Sequence, residues 1–192
     1  MTSNASKNIA DKLSKNAIGK GLSEEELISL AALFVARSLP PEIVVFDEGE
    51  TGDGLYLVLQ GSVRVEKHNA AGGYSEVAVL DQGSLFGEIS LITGAPRSGR
   101  IKMAVDGTLA CLSREKFKAL AENDVKLHTK LTQGLGALAC DRLSKTTLKV
   151  AQMLHHLKMT SDDVDELSKK VSSTKQSILG FVKHLMFGWD GL

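Results

Sequence analysis

The apolar positions of the chain change period twice. Near the start, Leu27, Leu30, Leu33 and Phe34 recur at helical spacing. Ser23-Glu24-Glu25-Glu26 places a hydroxyl at N-cap and a carboxylate at N3, a capping box that predicts where this helix begins. Pro40-Pro41 cannot continue a helix, so the element is expected to stop before them. Short β-branched runs follow at Ile43–Phe46, Leu55–Leu59, Ser62–Glu66, Glu76–Leu80, Arg100–Val105 and Thr108–Leu112. Val63 and Val65 alternate with Arg64 and Glu66, the two-residue period of a half-buried strand. Gly72-Gly73, inside Asn69 to Tyr74, marks a hairpin. Eleven of the 18 glycines lie between Gly49 and Gly107, where turns must separate these runs. Short strands punctuated by glycine predict a small β-roll, or jelly-roll barrel, within an α+β fold.

The helical period then returns. Ser113 to Glu122 reads as a short helix with Ser113 as N-cap, and a long proline-free helix starts near Asp124. Leu127, Leu131, Leu135 and Leu138 share one face of it, suited to packing on the β block. Further on, Ala139, Leu143, Thr146, Val150, Met153 and Leu157 step by alternate fours and threes. Such a seam reads as a helix–helix contact between two copies, or as one amphipathic helix lying on its own domain. Ser161 to Leu192 reads as a separate helical tail. It starts at Asp162-Asp163-Val164-Asp165-Glu166, is interrupted at Ser172-Ser173-Thr174, and resumes from Lys175 to Phe187. The expected division is an N-terminal extension over 1–22, a binding domain with its long C-helix over 23–158, and a tail over 159–192.

Composition narrows the function. Twenty-three basic and 23 acidic side chains give a net charge of zero. That argues against a partner held by bulk charge, nucleic acid or anionic membrane, but leaves a local anion site open. No apolar run approaches the ~20 residues needed to span a bilayer, and Met1 to Lys20 lacks the apolar core of a secretory signal. Cys111 and Cys140 are too few for a disulfide framework or a four-cysteine site, so a reduced, cytoplasmic protein is expected. Neighbouring His155-His156 point different ways on a helix and make a poor metal pair. With no Walker A string, nucleophile elbow or metal-ligand spacing, no catalytic residue, metal or cofactor is assigned, and the chain is read as a non-enzyme.

The richest chemistry lies in Phe86-Gly87-Glu88-Ile89-Ser90-Leu91, followed by Pro96-Arg97-Ser98-Gly99. Gly87 lets the backbone approach a ligand closely. Glu88 can accept hydrogen bonds from a sugar hydroxyl, and Arg97 carries the planar fork that suits a phosphate. Ser98 adds a hydroxyl, and amides near Ser90 and Ser98 can cradle an anion. A short helix from Glu88 would aim its N-terminus at that anion. A plain Glu88–Arg97 salt bridge on a solvated loop is the competing reading.

The whole string resembles the phosphate-binding cassette of the cyclic nucleotide-binding domain family. Phe86, Gly87, Glu88, Ile89, Leu91, Pro96 and Arg97 match the family pattern, with Ser90 and Gly99 as small departures. Gly49-Glu50-Thr51-Gly52-Asp53-Gly54-Leu55-Tyr56 resembles the family's upstream strand–turn–strand signature, and the likeness runs from about Leu22 to Leu157. It implies a site for a 3′,5′-cyclic nucleotide. Glu88 would take the ribose 2′-hydroxyl, Arg97 the cyclic phosphate, and Ser98 with the amides of Gly87, Ser90 and Ser98 the rest of the cradle. Ile89, Leu57, Val79, Leu80 and Leu85 would supply apolar contacts.

The chain looks most like the bacterial catabolite-activator (Crp/Fnr-like) branch. There the long helix forms a dimer and sets two hydroxyl residues against adenine, which places Thr146 and Thr147 at those positions. That favours cAMP, while the Ser98 hydroxyl can also serve cGMP. Leu167 to Ile178 faintly echoes a helix-turn-helix. Ser172 replaces its usual turn glycine, the tail leaves no room for a wing, and its charges nearly cancel. The leading expectation is a cyclic-nucleotide sensor acting through its C-helix as a homodimer. The alternatives are a DNA-binding regulator and a regulatory subunit docked on an enzyme or transporter. Family members that use iron–sulfur clusters need more than two cysteines.

Overall fold

The computed structural model describes residues 4–156 and 165–176. The chain divides into two compact units, Met1–Leu135 and Gly136–Leu192. In the first unit, two four-stranded antiparallel sheets face each other, in the orders β1-β8-β3-β6 and β2-β7-β4-β5. The strands are β1 (Val35–Leu39), β2 (Val44–Phe46), β3 (Gly54–Gln60), β4 (Ser62–His68), β5 (Tyr74–Asp81), β6 (Leu85–Phe86), β7 (Arg100–Met103) and β8 (Gly107–Ser113). The helices are α1 (Asn4–Ser14), α2 (Glu24–Ala31), α3 (Glu88–Thr93), α4 (Arg114–Asn123) and α5 (Val125–His156). This is the mixed β-roll with flanking helices that the periodicity predicts.

Alternation along the strands divides the apolar residues between two cores. Phe46, Val58, Val63, Phe86, Ile101, Met103 and Leu109 fill the interior of the roll. The opposite register of β3, Leu55, Leu57 and Leu59, is also buried. A strand buried on both faces reads as a continuous apolar run, as Leu55–Leu59 does. The helices supply Ile9, Leu13, Leu30, Leu127 and Leu131, all nearly inaccessible.

Local chemistry sets the helix ends. Ser23 Oγ accepts from the Glu26 N–H, and the Glu26 carboxylate accepts in turn from the Ser23 N–H, completing the capping box. The same carboxylate pairs with Lys130 at 2.8 Å and so ties the start of α2 to α5. Ser113 caps α4 as expected. Asn69 shapes the hairpin before β5, its Oδ1 accepting from the Ala71 and Gly73 amides.

Three expectations change. The first helix ends at Ala31, and Val35–Leu39 is strand β1, paired with β8. Leu39 precedes Pro40, which disfavours the α conformation, and the open edge of β8 offers the pairing. The polar N-terminal segment, for which no element is predicted, forms α1 and a 3₁₀ turn at Ala17–Gly19, burying Ile9, Leu13 and Ile18. Gly134 of α5 lets that turn pass close, since a Cβ there would lie 2.5 Å from Ile18 Cα. Finally, residues 165–176 are helical throughout, so Ser172–Thr174 does not interrupt them. The Ser173 and Thr174 hydroxyls both donate back to the Lys170 carbonyl and stay within the helix. The turn of a helix-turn-helix at Ser172 is therefore helix.

In the second unit, the positions of the proposed seam from Leu143 to Met153 lie on α5. Leu143 and Val150 are half-buried, while Thr146 and Met153 are exposed. Leu157, the side chains of His155 and His156, and the tail beyond residue 176 lie outside the described residues.

Candidate functional site

The site is built around the turn from β6 into α3. Gly87 is the N-cap of α3 with φ 84°, and Gly94 closes the helix with φ 72°. Both are left-handed conformations that favour glycine. At Gly87 space adds a second constraint, because a Cβ would lie 2.4 Å from Arg97 Nη1. Gly87 is thus needed for both its conformation and its lack of a side chain.

The structure brings together three of the expected polar residues. Glu88, Ser90 and Arg97 are each only 2% exposed, the polar side chains buried in this unit among the described residues. Burial of three polar groups between Glu88 and Arg97 is costly unless each is paired. Ser90 Oγ donates to the Pro96 carbonyl at 3.3 Å. The backbone of Arg97 is locked to the β2–β3 loop, its N–H donating to Glu50 O at 2.7 Å and its carbonyl accepting from Gly49 N–H at 2.9 Å.

The Arg97 guanidinium points inward, although the resemblance to the family cassette implies a fork presented to a phosphate. Nη1 donates to Gly87 O at 3.2 Å, and Nη2 donates to Gly54 O at 3.0 Å and to Asp53 Oδ1 at 2.5 Å. The guanidinium carbon sits 3.9 Å from the Phe46 ring centroid. An aromatic face and a carboxylate together hold the charge in place. Nε is buried with no hydrogen-bond partner.

Three residues of this arrangement, Asp53, Phe46 and Tyr56, receive no role from sequence reasoning. Asp53 lies in the Gly52-Asp53-Gly54 string, where the run of glycines is the only signal. Tyr56 donates its hydroxyl to Asp53 Oδ2 at 2.6 Å, and its ring stacks on Phe86 with centroids 5.2 Å apart. Burial alone would raise the Asp53 carboxyl, but hydrogen bonds from Tyr56 and Arg97 outweigh it and hold the group below its ordinary value. Burial, with the Asp53 carboxylate as acceptor, pushes the Tyr56 phenol well above its usual range. Burial likewise raises the Cys111 thiol, which keeps it in the inert protonated form.

A lowered carboxyl contributes stability above its unfolded pKa, and that contribution fades as pH falls through the folded value. Comparing urea midpoints of wild type and Asp53→Asn across pH should therefore show a gap near neutrality. The gap should close below about pH 4, the ordinary aspartate range. A gap that stays constant down to acid pH would contradict the pairing.

The remaining expected residues are dispersed. Ser98 is exposed beside Arg97. Ile89 is 41% exposed at the start of α3. Leu57 and Leu85 pair across β3 and β6 on the face opposite Tyr56 and Phe86, so they pack outside the roll interior. Val79 pairs with Arg64 and is 47% exposed, while Leu80 pairs with Val63 and packs on the interior core. Of these two neighbours, the two-residue period gives the inner wall to Leu80 and turns Val79 outward. Thr146 and Thr147 lie on α5 in the second unit, where Thr147 Oγ1 donates to Leu143 O at 2.9 Å. No cluster of three or more metal-ligating side chains occurs among the described residues. None of the described helices is long and apolar enough to cross a membrane.

Residues 36–124 match the family model for the cyclic nucleotide-binding domain. The chain is 32% identical over 130 residues to the cyclic AMP receptor protein of Thermus thermophilus, covering 68% of this chain and 58% of that protein. It is 33% identical over 99 residues to the cAMP-dependent protein kinase regulatory subunit of Yarrowia lipolytica, covering 52% of this chain and 26% of that one. A crystal structure of a cyclic nucleotide-binding domain from Methylobacillus flagellatus superposes with a TM-score of 0.70 at 28% identity, over 77% of this chain and 83% of that chain. The chain therefore spans less than two thirds of the length of either of the first two relatives.

Proposed function

Because residues 36–124 are a cyclic nucleotide-binding domain, with likeness to the Crp branch, we propose that this chain is a cytoplasmic cyclic-nucleotide sensor and not an enzyme. The observation that carries the reading is the burial of Glu88, Ser90 and Arg97 around Gly87. In this reading Glu88 accepts from the ribose hydroxyl and Arg97 meets the cyclic phosphate. The unpartnered Nε of Arg97 supports an anion at this guanidinium, because a phosphate oxygen would satisfy it. Ligand binding exchanges the Asp53 carboxylate for the phosphate as the partner of Arg97, which links the nucleotide to the β2–β3 loop.

The proposed nucleotide is cAMP, on the Thr146-Thr147 hydroxyl pair implied by the catabolite-activator resemblance. The proposed output runs through α5, whose seam at Leu143, Thr146, Val150 and Met153 would pair with a second copy. Differential affinity of the nucleotide for two states would shift their populations. Titration calorimetry of the full chain should give heat with cAMP and a weaker response with cGMP. A folded chain that gives heat with neither nucleotide would reject the reading.

A further inference from the structure

We propose that Arg114, the first residue of α4, is a positioning residue for the cassette, an inference that rests on reading the cassette as the nucleotide site. Sequence reasoning assigns Arg114 no role. Its side chain lies behind the site and donates to carbonyls on two separate segments. Nε donates to Gly52 O at 2.7 Å, in the β2–β3 loop. Nη2 donates to Ser90 O at 2.6 Å, in α3. The Arg114 backbone N–H donates to Asp53 O at 2.8 Å. One residue thus holds three carbonyls: two at or beside the acidic partner of Arg97, and one on the helix that carries Glu88.

Two carbonyl groups aimed at the same point repel unless a donor lies between them. The rigid guanidinium fork spans both, and its charge persists at all working pH values. A lysine offers one point charge and cannot reproduce the fork. The two walls also approach very closely. A Cβ on Gly52 would lie 2.4 Å from Ser90 Cβ and 3.2 Å from Arg114 Nη2. Gly52 permits the approach, and Arg114 holds it. The separation of the Asp53 wall from the Glu88 wall is therefore set before any nucleotide arrives, and such preorganisation appears as affinity.

The test is calorimetric titration of the full chain with cAMP, for wild type, Arg114→Ala, Arg114→Lys and Gly52→Ala. Arg114→Ala is expected to bind roughly tenfold or more weakly, since the walls are no longer pre-set. Millimolar methylguanidinium should restore most of that loss in Arg114→Ala and none in Gly52→Ala, where the walls are forced apart with the clamp still present. Arg114→Lys should fall between wild type and Arg114→Ala. If Arg114→Ala does not melt cooperatively, the lysine variant decides, and wild-type affinity there overturns the proposal. Arg114→Ala binding within twofold of wild type also overturns it. Absence of binding by folded wild type would instead reject the nucleotide site itself, and the positioning role with it.

Discussion

Arg97→Ala is expected to abolish measurable cyclic-nucleotide binding at concentrations that saturate the wild type. The substitution removes the arginine proposed to meet the phosphate, 2% exposed and donating to Gly87 O and Gly54 O. Hydrogen bonds to charged groups contribute about 1.5–3 kcal/mol each, so two of them to a phosphate amount to about 3–6 kcal/mol. That corresponds to a loss of roughly 10²–10⁴-fold in affinity. Arg97→Lys should recover little, because an ammonium cannot bridge two phosphate oxygens in one plane. Calorimetry reads the affinity, and a thermal melt checks folding. Arg97→Ala should affect binding more than Arg114→Ala, since one removes a ligand contact and the other a support. Undiminished affinity in a folded Arg97→Ala protein would remove the phosphate role altogether.

Gly87→Ala is expected to destabilise the fold more than the corresponding change at Gly94, the other left-handed glycine of the cassette. At φ 84° an alanine occupies left-handed backbone, at about 1–2 kcal/mol. Its Cβ would also press on Arg97 Nη1 at 2.4 Å and on Gly54 O at 2.9 Å. Relieving that contact requires moving a guanidinium held by Gly87 O, Gly54 O and Asp53, an overpacking cost of about 1–3 kcal/mol. Gly94→Ala is the internal control. Its φ of 72° imposes similar strain, but no atom lies within 4 Å of the added Cβ. Urea midpoints should fall for both variants and further for Gly87→Ala, and only Gly87→Ala should also weaken nucleotide binding. Equal midpoints for the two would show that the Arg97 contact costs nothing.

Much of the architecture could be read from periodicity because its causes are local. The capping box at Ser23–Glu26, the Ser113 cap, the Gly72-Gly73 hairpin and the helical stretch of Leu127, Leu131 and Leu135 depend on residues within a turn or two of each other. Strand β1 could not be read this way. Val35–Leu39 follows directly on a helical spacing, and its strand conformation depends on β8, more than 60 residues away in the chain. The buried face of α1 was equally hidden, since two apolar residues in a polar segment acquire meaning only against α2 and β3. Val79 shows the same limit at single-residue scale. Its neighbour Leu80 faces the interior, and only the pairing with β4 decides which of the two does so.

Within the site, Gly87, Glu88, Ser90 and Arg97 are legible in the sequence through the string's resemblance to the family cassette, whereas their types and spacing alone leave a plain Glu88–Arg97 salt bridge as a competing reading. Their determinants lie within a dozen residues, where a glycine's conformational freedom and an arginine's fork are properties of the residues themselves. Tertiary structure alone decided what Arg97 touches. Asp53 lies 44 residues earlier in the chain, yet its carboxylate meets the guanidinium. Arg114 lies 24 residues beyond Ser90 and 62 beyond Gly52, yet donates to both. The physical reason is the folding of the roll. Closing two antiparallel sheets brings the β2–β3 loop, the β6–α3 turn and the end of β8 to one place. Charge pairing at that place follows from three-dimensional distance, which separation along the chain does not encode.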